Sequence, residues 1–161
     1  MCSTLESIVD GCDTIGNIMN RVLLDTNVLV AGLSSSKGAS YAVLQAVSDG
    51  RLQIVASTAL WLEYESVLKR DEIRGMHGFS IKQIDQLLSA LAVWVQPVML
   101  HYMWRPQLRD PGDEMVLEAA VNGQVSAIVT HNIRDFASAA PSFGLQVLTP
   151  AQTLLKMEKK A

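Results

Sequence analysis

Two short, wholly apolar runs that each end in a polar cluster constrain this chain more than any other feature: Val22-Leu23-Leu24 before Asp25-Thr26-Asn27, and Ala127-Ile128-Val129 before Thr130-His131-Asn132. A strand without polar alternation is buried on both faces, as in a parallel sheet covered by helices on either side. The stretches between such runs carry the helical period. From Gly38 to Ser48, Ala39, Val43, Leu44 and Val47 share one face, and Asp49-Gly50 closes the segment with a left-handed residue. A second strand is expected from Leu52 to Val55. Ser57 then N-caps a helix whose face is Leu60, Tyr64, Val67 and Leu68, running to Lys69-Arg70. Ser80 and Gln83 form a capping box for a longer helix carrying Ile81, Ile84, Leu87, Leu88, Leu91 and Val95. Pro97 confines a strand from Gln96 to Leu100 to an edge or a strand start, and His101 to Leu108 reads as a loop. Asp110 is a natural N-cap, with Pro111 at the first helical position, Asp113 at the third and Gly123 ending the segment. A short helical turn from Arg134 to Ala137, a strand from Leu145 to Leu148 and a helix from Pro150 to Glu158 complete the pattern. Alternating strands and helices predict an α/β domain with a mainly parallel central sheet and helices on both faces.

Composition narrows the class. A length of 161 residues suits one domain, and 49% hydrophobic with 18% charged residues is a globular balance. The longest apolar stretch, Leu87 to Val95, is broken by Ser89 and is too short to span a bilayer, so no membrane segment is expected. Cys2 and Cys12 both precede residue 13, leaving the body without a thiol, and no basic, continuously apolar leader opens the chain; a cytoplasmic location is expected. Residues 1–20 are expected to be a tail and 21–161 the domain, with Met19 as an alternative start. Glu6, Asp10 and Asp13 account for the whole net charge of −3, leaving 13 acids against 13 bases in residues 21–161. A neutral body does not hold duplex DNA by its charge, so any nucleic-acid contact must be local. Lys69, Arg70 and Arg74, the loop residues Arg105 and Arg109, and Arg134 are the candidates.

Sites in parallel sheets lie beyond the C-terminal strand ends, where the two polar clusters stand. Several chemistries can be removed. The chain has no G-x-G-x-x-G, no P-loop and no G-x-S-x-G elbow, and its three histidines, His77, His101 and His131, lack the spacing of a zinc site. A D-x-D phosphotransfer pair would need an acid at Asn27. Acidic residues near strand ends remain, which is the equipment for binding hard divalent cations through oxygen.

The run Val22-Leu23-Leu24-Asp25-Thr26-Asn27-Val28-Leu29-Val30 resembles the first strand and first acid of PIN domains. Ser57 to Leu68 is similar to the family's second-acid helix, with Glu63 at the acid; Arg109-Asp110-Pro111-Gly112-Asp113-Glu114 is similar to the third-acid segment. Ala127 to Asn132 occupies the fourth-acid position, and the ordered resemblance runs over roughly residues 21–155. It is greatest to PIN proteins assigned as toxins of toxin–antitoxin pairs. The resemblance implies a three-layer α/β/α fold and hydrolysis of single-stranded RNA with Mg²⁺ or Mn²⁺. It also implies an antitoxin partner and a homodimer. Asp25, Glu63 and Asp113 would be the catalytic, metal-holding acids, with Asn132 as a further ligand and Asp135, Glu65 and Asp110 as weaker candidates. Thr130, Arg134 and Asn27 would meet substrate.

Each role has a structural competitor. Asp25 could be a turn acid, Asp110 an ordinary N-cap and Asp113 a carboxylate facing a helix dipole. Glu63 and Glu65 both flank the apolar stripe, and Glu65 has Lys69 as an i,i+4 partner. Asn132 departs from the family pattern, where an acid is common; its carbonyl can coordinate a metal but brings no charge. Asp135, one helical turn on, could substitute for it. Two other classes therefore stay open: a PIN fold that binds RNA or protein through a depleted metal site, and a metal-dependent hydrolase of small phosphate esters.

Overall fold

The computed structural model describes residues 21–160, so the expected tail and both cysteines lie outside the described residues. The sheet strands are β1 (Arg21–Leu24), β2 (Gln53–Ser57), β3 (Val95–Val98), β4 (Ala127–Val129) and β5 (Gln146–Leu148). The helices are α1 (Thr26–Ser34), α2 (Ala39–Ser48), α3 (Thr58–Leu68), α4 (Asp71–His77), α5 (Ile81–Ala92), α6 (Pro111–Asn122), α7 (Ile133–Phe136) and α8 (Pro150–Glu158), with a 3-10 turn at Ala140–Phe143. All strand pairings are parallel, in the order β3-β2-β1-β4-β5. The chain builds outward from β1 to β3, then returns to the other side of β1 to lay down β4 and β5. The order thus switches direction between β1 and β4.

Alternation along β1 and β4, and between Ile54 and Val55 of β2, makes the domain three-layered. Val22 and Leu24 of β1, Ile54 of β2 and Ala127 and Val129 of β4 pack with Val43, Ala46 and Val47 of α2 on one face, where Leu154 and Met157 of α8 join them. Leu23, Val55 and Ile128 point the other way, into Leu60 and Tyr64 of α3, Val116 and Leu117 of α6 and Phe136 of α7. Because both faces are covered, the central strands carry polar residues only at their ends, Arg21 in β1 and Gln53 and Ser57 in β2, which explains the apolar runs between.

Local chemistry sets the helix ends. The Ser57 hydroxyl accepts the Leu60 N–H at 3.2 Å, Ser80 and Gln83 close a capping box, and Asp110 caps α6 through the Gly112 N–H. Gly50 takes the left-handed conformation expected of it, φ 71°. The structure adds two helices that the sequence reading did not contain and moves several of its boundaries. Thr26–Ser34 is helical directly after Asp25, because the chain turns into a helix as soon as it leaves the sheet. Asp71–His77 forms a separate short helix with acids in its first turn and Arg74 and His77 in its last, a dipole-matched pattern passed over in the sequence. Val95 opens β3, which ends at Val98, instead of closing α5; Ile81 is 48% exposed instead of facing the core. The strand after β1 runs over Gln53–Ser57, so Ser57 is both its last residue and the cap of α3. Among the described residues no helix is long and apolar enough to cross a membrane.

Candidate functional site

The switch in strand order puts the C-terminal ends of β1 and β4 side by side, with Leu24 level with Val129. The two polar clusters that follow them therefore interlock. The Asp25 N–H donates to the Val129 carbonyl at 2.9 Å, fixing the residue at the strand end. Thr130, fully buried, donates its hydroxyl to Asp25 Oδ2 at 2.7 Å, and Asn27 Nδ2 donates to the same oxygen at 3.1 Å. The Thr130 hydroxyl in turn accepts from the Asn132 N–H at 2.9 Å and from Asn27 Nδ2 at 3.3 Å. Asn27 Oδ1 takes the His131 N–H at 3.3 Å, and His131 Nε2 meets the buried Ser40 hydroxyl at 2.8 Å. Below this network Tyr64, buried on α3, donates its hydroxyl to the Leu24 carbonyl.

A cavity of about 600 Å³ opens above these strand ends, and Asp25, Asn27, Glu63, Asp110, Asp113, Asn132 and Asp135 all line it. The five acids come from four places: Asp25 from the end of β1, Glu63 from the middle of α3, Asp110 and Asp113 from the start of α6, and Asp135 from α7. Val30, Val67, Ile73 and Met76 supply an apolar wall. Glu65 does not line the cavity; it pairs at 2.6 Å with Lys69, which also holds Asp85 at 2.6 Å. The geometry thus separates the two glutamates that the helical period left ambiguous. Thr130 sits behind Asp25 and not on the cavity surface, and Arg134 is exposed on α7 outside the lining. Neither meets the cavity directly.

The electrostatics of the cavity are those of crowded carboxylates. Burial, followed by repulsion from Asp135, Asp110 and Asp25, pushes Asp113 up to about 6. Burial also lifts Asp25 above the usual carboxylate range, against the stabilising hydrogen bonds from Thr130 and the Thr26 backbone; Asp135 adds to the lift and His131 opposes it. Tyr64 is raised as well, by burial and then by Asp25. Like charges that raise one another across an open cavity form a site that a cation would relieve.

Whether a divalent metal fits depends on donors and spacing. The donors are hard oxygens with no thiol or histidine among the lining residues, as Mg²⁺ or Mn²⁺ requires. Among the described residues no group of three His, Cys, Asp or Glu side chains stands close enough to ligate one ion directly. An ion that takes one or two carboxylates and keeps several waters does not need such a group, and Mg²⁺ is usually bound that way. The residues therefore fit a hydrated cation and not an all-protein cage. Sequence reasoning underweighted Asp135: it is the largest charged neighbour of both Asp25 and Asp113. It missed the Ser40–His131 contact, for which a distant serine and histidine gave no signal.

No curated protein matches the chain in sequence. Among solved structures, the crystal structure of VapBC2 from Rickettsia felis bound to a DNA fragment from their promoter is similar in fold, with a TM-score of 0.57 at 13% identity; the match covers 80% of this chain and 98% of that one. The sequence description of the PIN domain matches residues 21–134, from the first residue of β1 through the strand ends that carry Asp25 and Asn132 to α7. With that match over most of its length, and the fold to go with it, the chain belongs to the PIN-domain family, a family of nucleases.

Proposed function

We propose that this protein is a metal-dependent endoribonuclease that hydrolyses phosphodiester bonds of single-stranded RNA. The observation that carries the reading is the cavity at the β1/β4 switch point, which Asp25, Glu63, Asp110, Asp113 and Asp135 line together and where neighbouring carboxylates add to the burial that raises Asp25 and Asp113. Sheets of this kind bind ligands at that switch point. Asp25, Glu63 and Asp113 are the residues assigned to hold Mg²⁺ or Mn²⁺, with Asn132 and Asp135 as flanking donors. When bound, such an ion lowers the pKa of its water and neutralises charge on the phosphate under attack.

The chain's own residues do the remaining work. Thr130 and Asn27 hold Asp25 Oδ2 by two donated hydrogen bonds, which fix the rotamer of the carboxylate, and the Thr130 bond opposes the upward shift that burial imposes. Tyr64 ties α3 to the end of β1, so that the adjacent Glu63 is carried to the same cavity as Asp25. The N-terminus of α6 favours negative charge at Asp113 and offsets part of the repulsion from its neighbours. Ile73 and Met76 of α4 give one side of the cavity an apolar wall. A cytoplasmic location is part of the proposal, as is a protein partner acting as antitoxin. The latter is supported by the fold likeness to VapBC2, bound to a DNA fragment from its promoter.

The absence of three closely placed ligands among the described residues and the uncharged Asn132 favour a second reading, a PIN fold that binds RNA or protein without cutting. One experiment separates the two. Labelled single-stranded RNA, duplex RNA and single-stranded DNA are incubated with wild type and Asp25→Asn, with Mn²⁺ or with EDTA. The proposal expects cleavage of single-stranded RNA by wild type with Mn²⁺ only, and none by Asp25→Asn. Binding without cleavage under any metal would establish the second reading instead.

A further inference from the structure

The segment between β3 and α6 is the most unusual surface of the molecule. Tyr102 is 66% exposed and Trp104 38%, yet their rings stack on each other at 5.5 Å and 26°. Trp104 leans in turn on Phe143 at 5.3 Å. Large exposed aromatic side chains that pack in a row, with an outer ring face left open, mark a recognition surface more often than a fold requirement.

This row is held rigidly. The Asn122 side-chain carbonyl accepts the His101 and Tyr102 N–H groups at 2.9 and 3.1 Å, and its amide donates to the Tyr102 carbonyl at 2.9 Å. Glu118, 3% exposed, grips Arg105 with two hydrogen bonds of 2.7 and 2.9 Å. Glu114, 4% exposed, takes the Gln107 N–H and, at 2.7 Å, the Leu108 N–H. Two buried acids of α6 are thus committed to holding the segment beyond the rings, Glu118 through the Arg105 side chain and Glu114 through the backbone. Residues 99–109 contain Arg105 and Arg109 and no acid, and Arg109 is exposed and forms no salt bridge with any described residue.

These clamps make the segment run antiparallel to α6, from Asn122 at its C-terminal end back to Asp110, which lines the carboxylate cavity. The ring pair is held between Asn122 and Glu118, nine and five residues from Asp113, a rise of about 7.5 to 13.5 Å along the helix. That is roughly two to four stacked-nucleotide spacings of about 3.4 Å. We propose that Tyr102 and Trp104 form a stacking platform for an unpaired base of single-stranded RNA whose backbone passes over the carboxylate cavity. The inference rests on the ribonuclease reading and deepens it. A fixed aromatic pair, with the exposed Arg109 unpaired among the described residues further along the segment, suits base stacking and a polyanion, and duplex RNA keeps its bases out of reach of such a platform.

The test is fluorescence anisotropy of a labelled short oligouridylate in EDTA, where no strand is cut. Tyr102→Ala and Trp104→Ala should each weaken binding about 10-fold, whereas Tyr102→Phe and Trp104→Phe should stay within about twofold. An abasic strand of the same length should bind wild type as weakly as the uridylate binds Trp104→Ala. This arm needs no variant to fold. Equal binding of the uridylate by wild type and both alanine variants, or equal binding of the uridylate and the abasic strand by wild type, overturns the platform and leaves the patch to a protein partner. In that case Mn²⁺-dependent cleavage by wild type would keep the ribonuclease reading intact; loss of both binding and cleavage in wild type would remove both.

Discussion

At the scale of single residues, Asp113 shows which of two opposed effects wins. Its place in the first turn of α6 should lower its pKa, since a helix N-terminus favours an anion by roughly 0.3–1 kcal/mol. Its pKa instead rises to about 6, so burial and the three neighbouring aspartates outweigh the dipole. An acid raised in this way holds its proton longer in the folded than in the unfolded chain. Stability therefore falls as pH climbs from the ordinary carboxylate range to about 6, and the full penalty persists above that. Asp113→Asn removes the penalty. Discounted for the solvent that reaches the side chain, the gain is about 1 kcal/mol, or roughly 2–4 °C in thermal midpoint for a domain of this size. In EDTA the variant should melt above wild type at neutral pH and level with it near the ordinary carboxylate pKa of about 4. A variant that melts below wild type at neutral pH would show that the carboxylate is held by attraction, and the crowded cavity would be wrong.

At the scale of elements, α6 does more than any other piece to build the site. It presents Asp113 at its start, clamps the preceding segment along its length and ends against the sheet at Gly123. A Cβ at Gly123 would come within 2.8 Å of the Ala119 carbonyl, 3.0 Å of Val55 Cγ2 and 3.1 Å of Val98 Cγ2. The helix end is seated that closely on β2 and β3. Gly123→Ala should therefore cost about 1–3 kcal/mol, as overpacking in a core does. Gly75→Ala is the control: it lies within α4 with nothing within 4 Å of its Cβ, and should be neutral or stabilising by up to about 1 kcal/mol. Urea unfolding of both variants reads the difference. Equal stability of the two would mean that α6 can move off the sheet without cost.

The same element shows what the sequence could convey and what it could not. Asp110, Pro111 and Gly123 bounded α6 from sequence because caps and breakers act locally, within a few residues of the signal. The roles of Glu114 and Glu118 were not legible. They look like surface acids in a list of residues, and only the fold reveals that each is buried under a segment it holds. Thr26–Ser34 escaped notice for a related reason: Val28, Leu29 and Val30 continue the apolar character of β1, and its helical character comes from the turn at the C-terminal end of that strand, with Val28 and Leu29 buried in different layers.

At the scale of the whole molecule, the parallel sheet followed from the unbroken apolar runs of β1 and β4. That these runs are neighbours did not, because strand order is a matter of long-range pairing. Their adjacency is what turns two separate polar clusters into one network around Asp25. It also brings Asp135 beside Asp25 and Asp113, a grouping that residue spacing alone does not contain. The central claim is that acids from β1, α3, α6 and α7 form one cation site. Calorimetric titration of Mn²⁺ into wild type, Asp25→Asn and Asp113→Asn at about pH 5 and pH 7.5 tests it most directly, because the metal must displace the protons that crowding retains. The account predicts that wild type binds Mn²⁺ more tightly at the higher pH with release of protons, and that each variant loses at least about 10-fold in affinity, the factor that corresponds to 1.4 kcal/mol. Wild-type affinity that does not change with pH, or that survives in both variants, would contradict it.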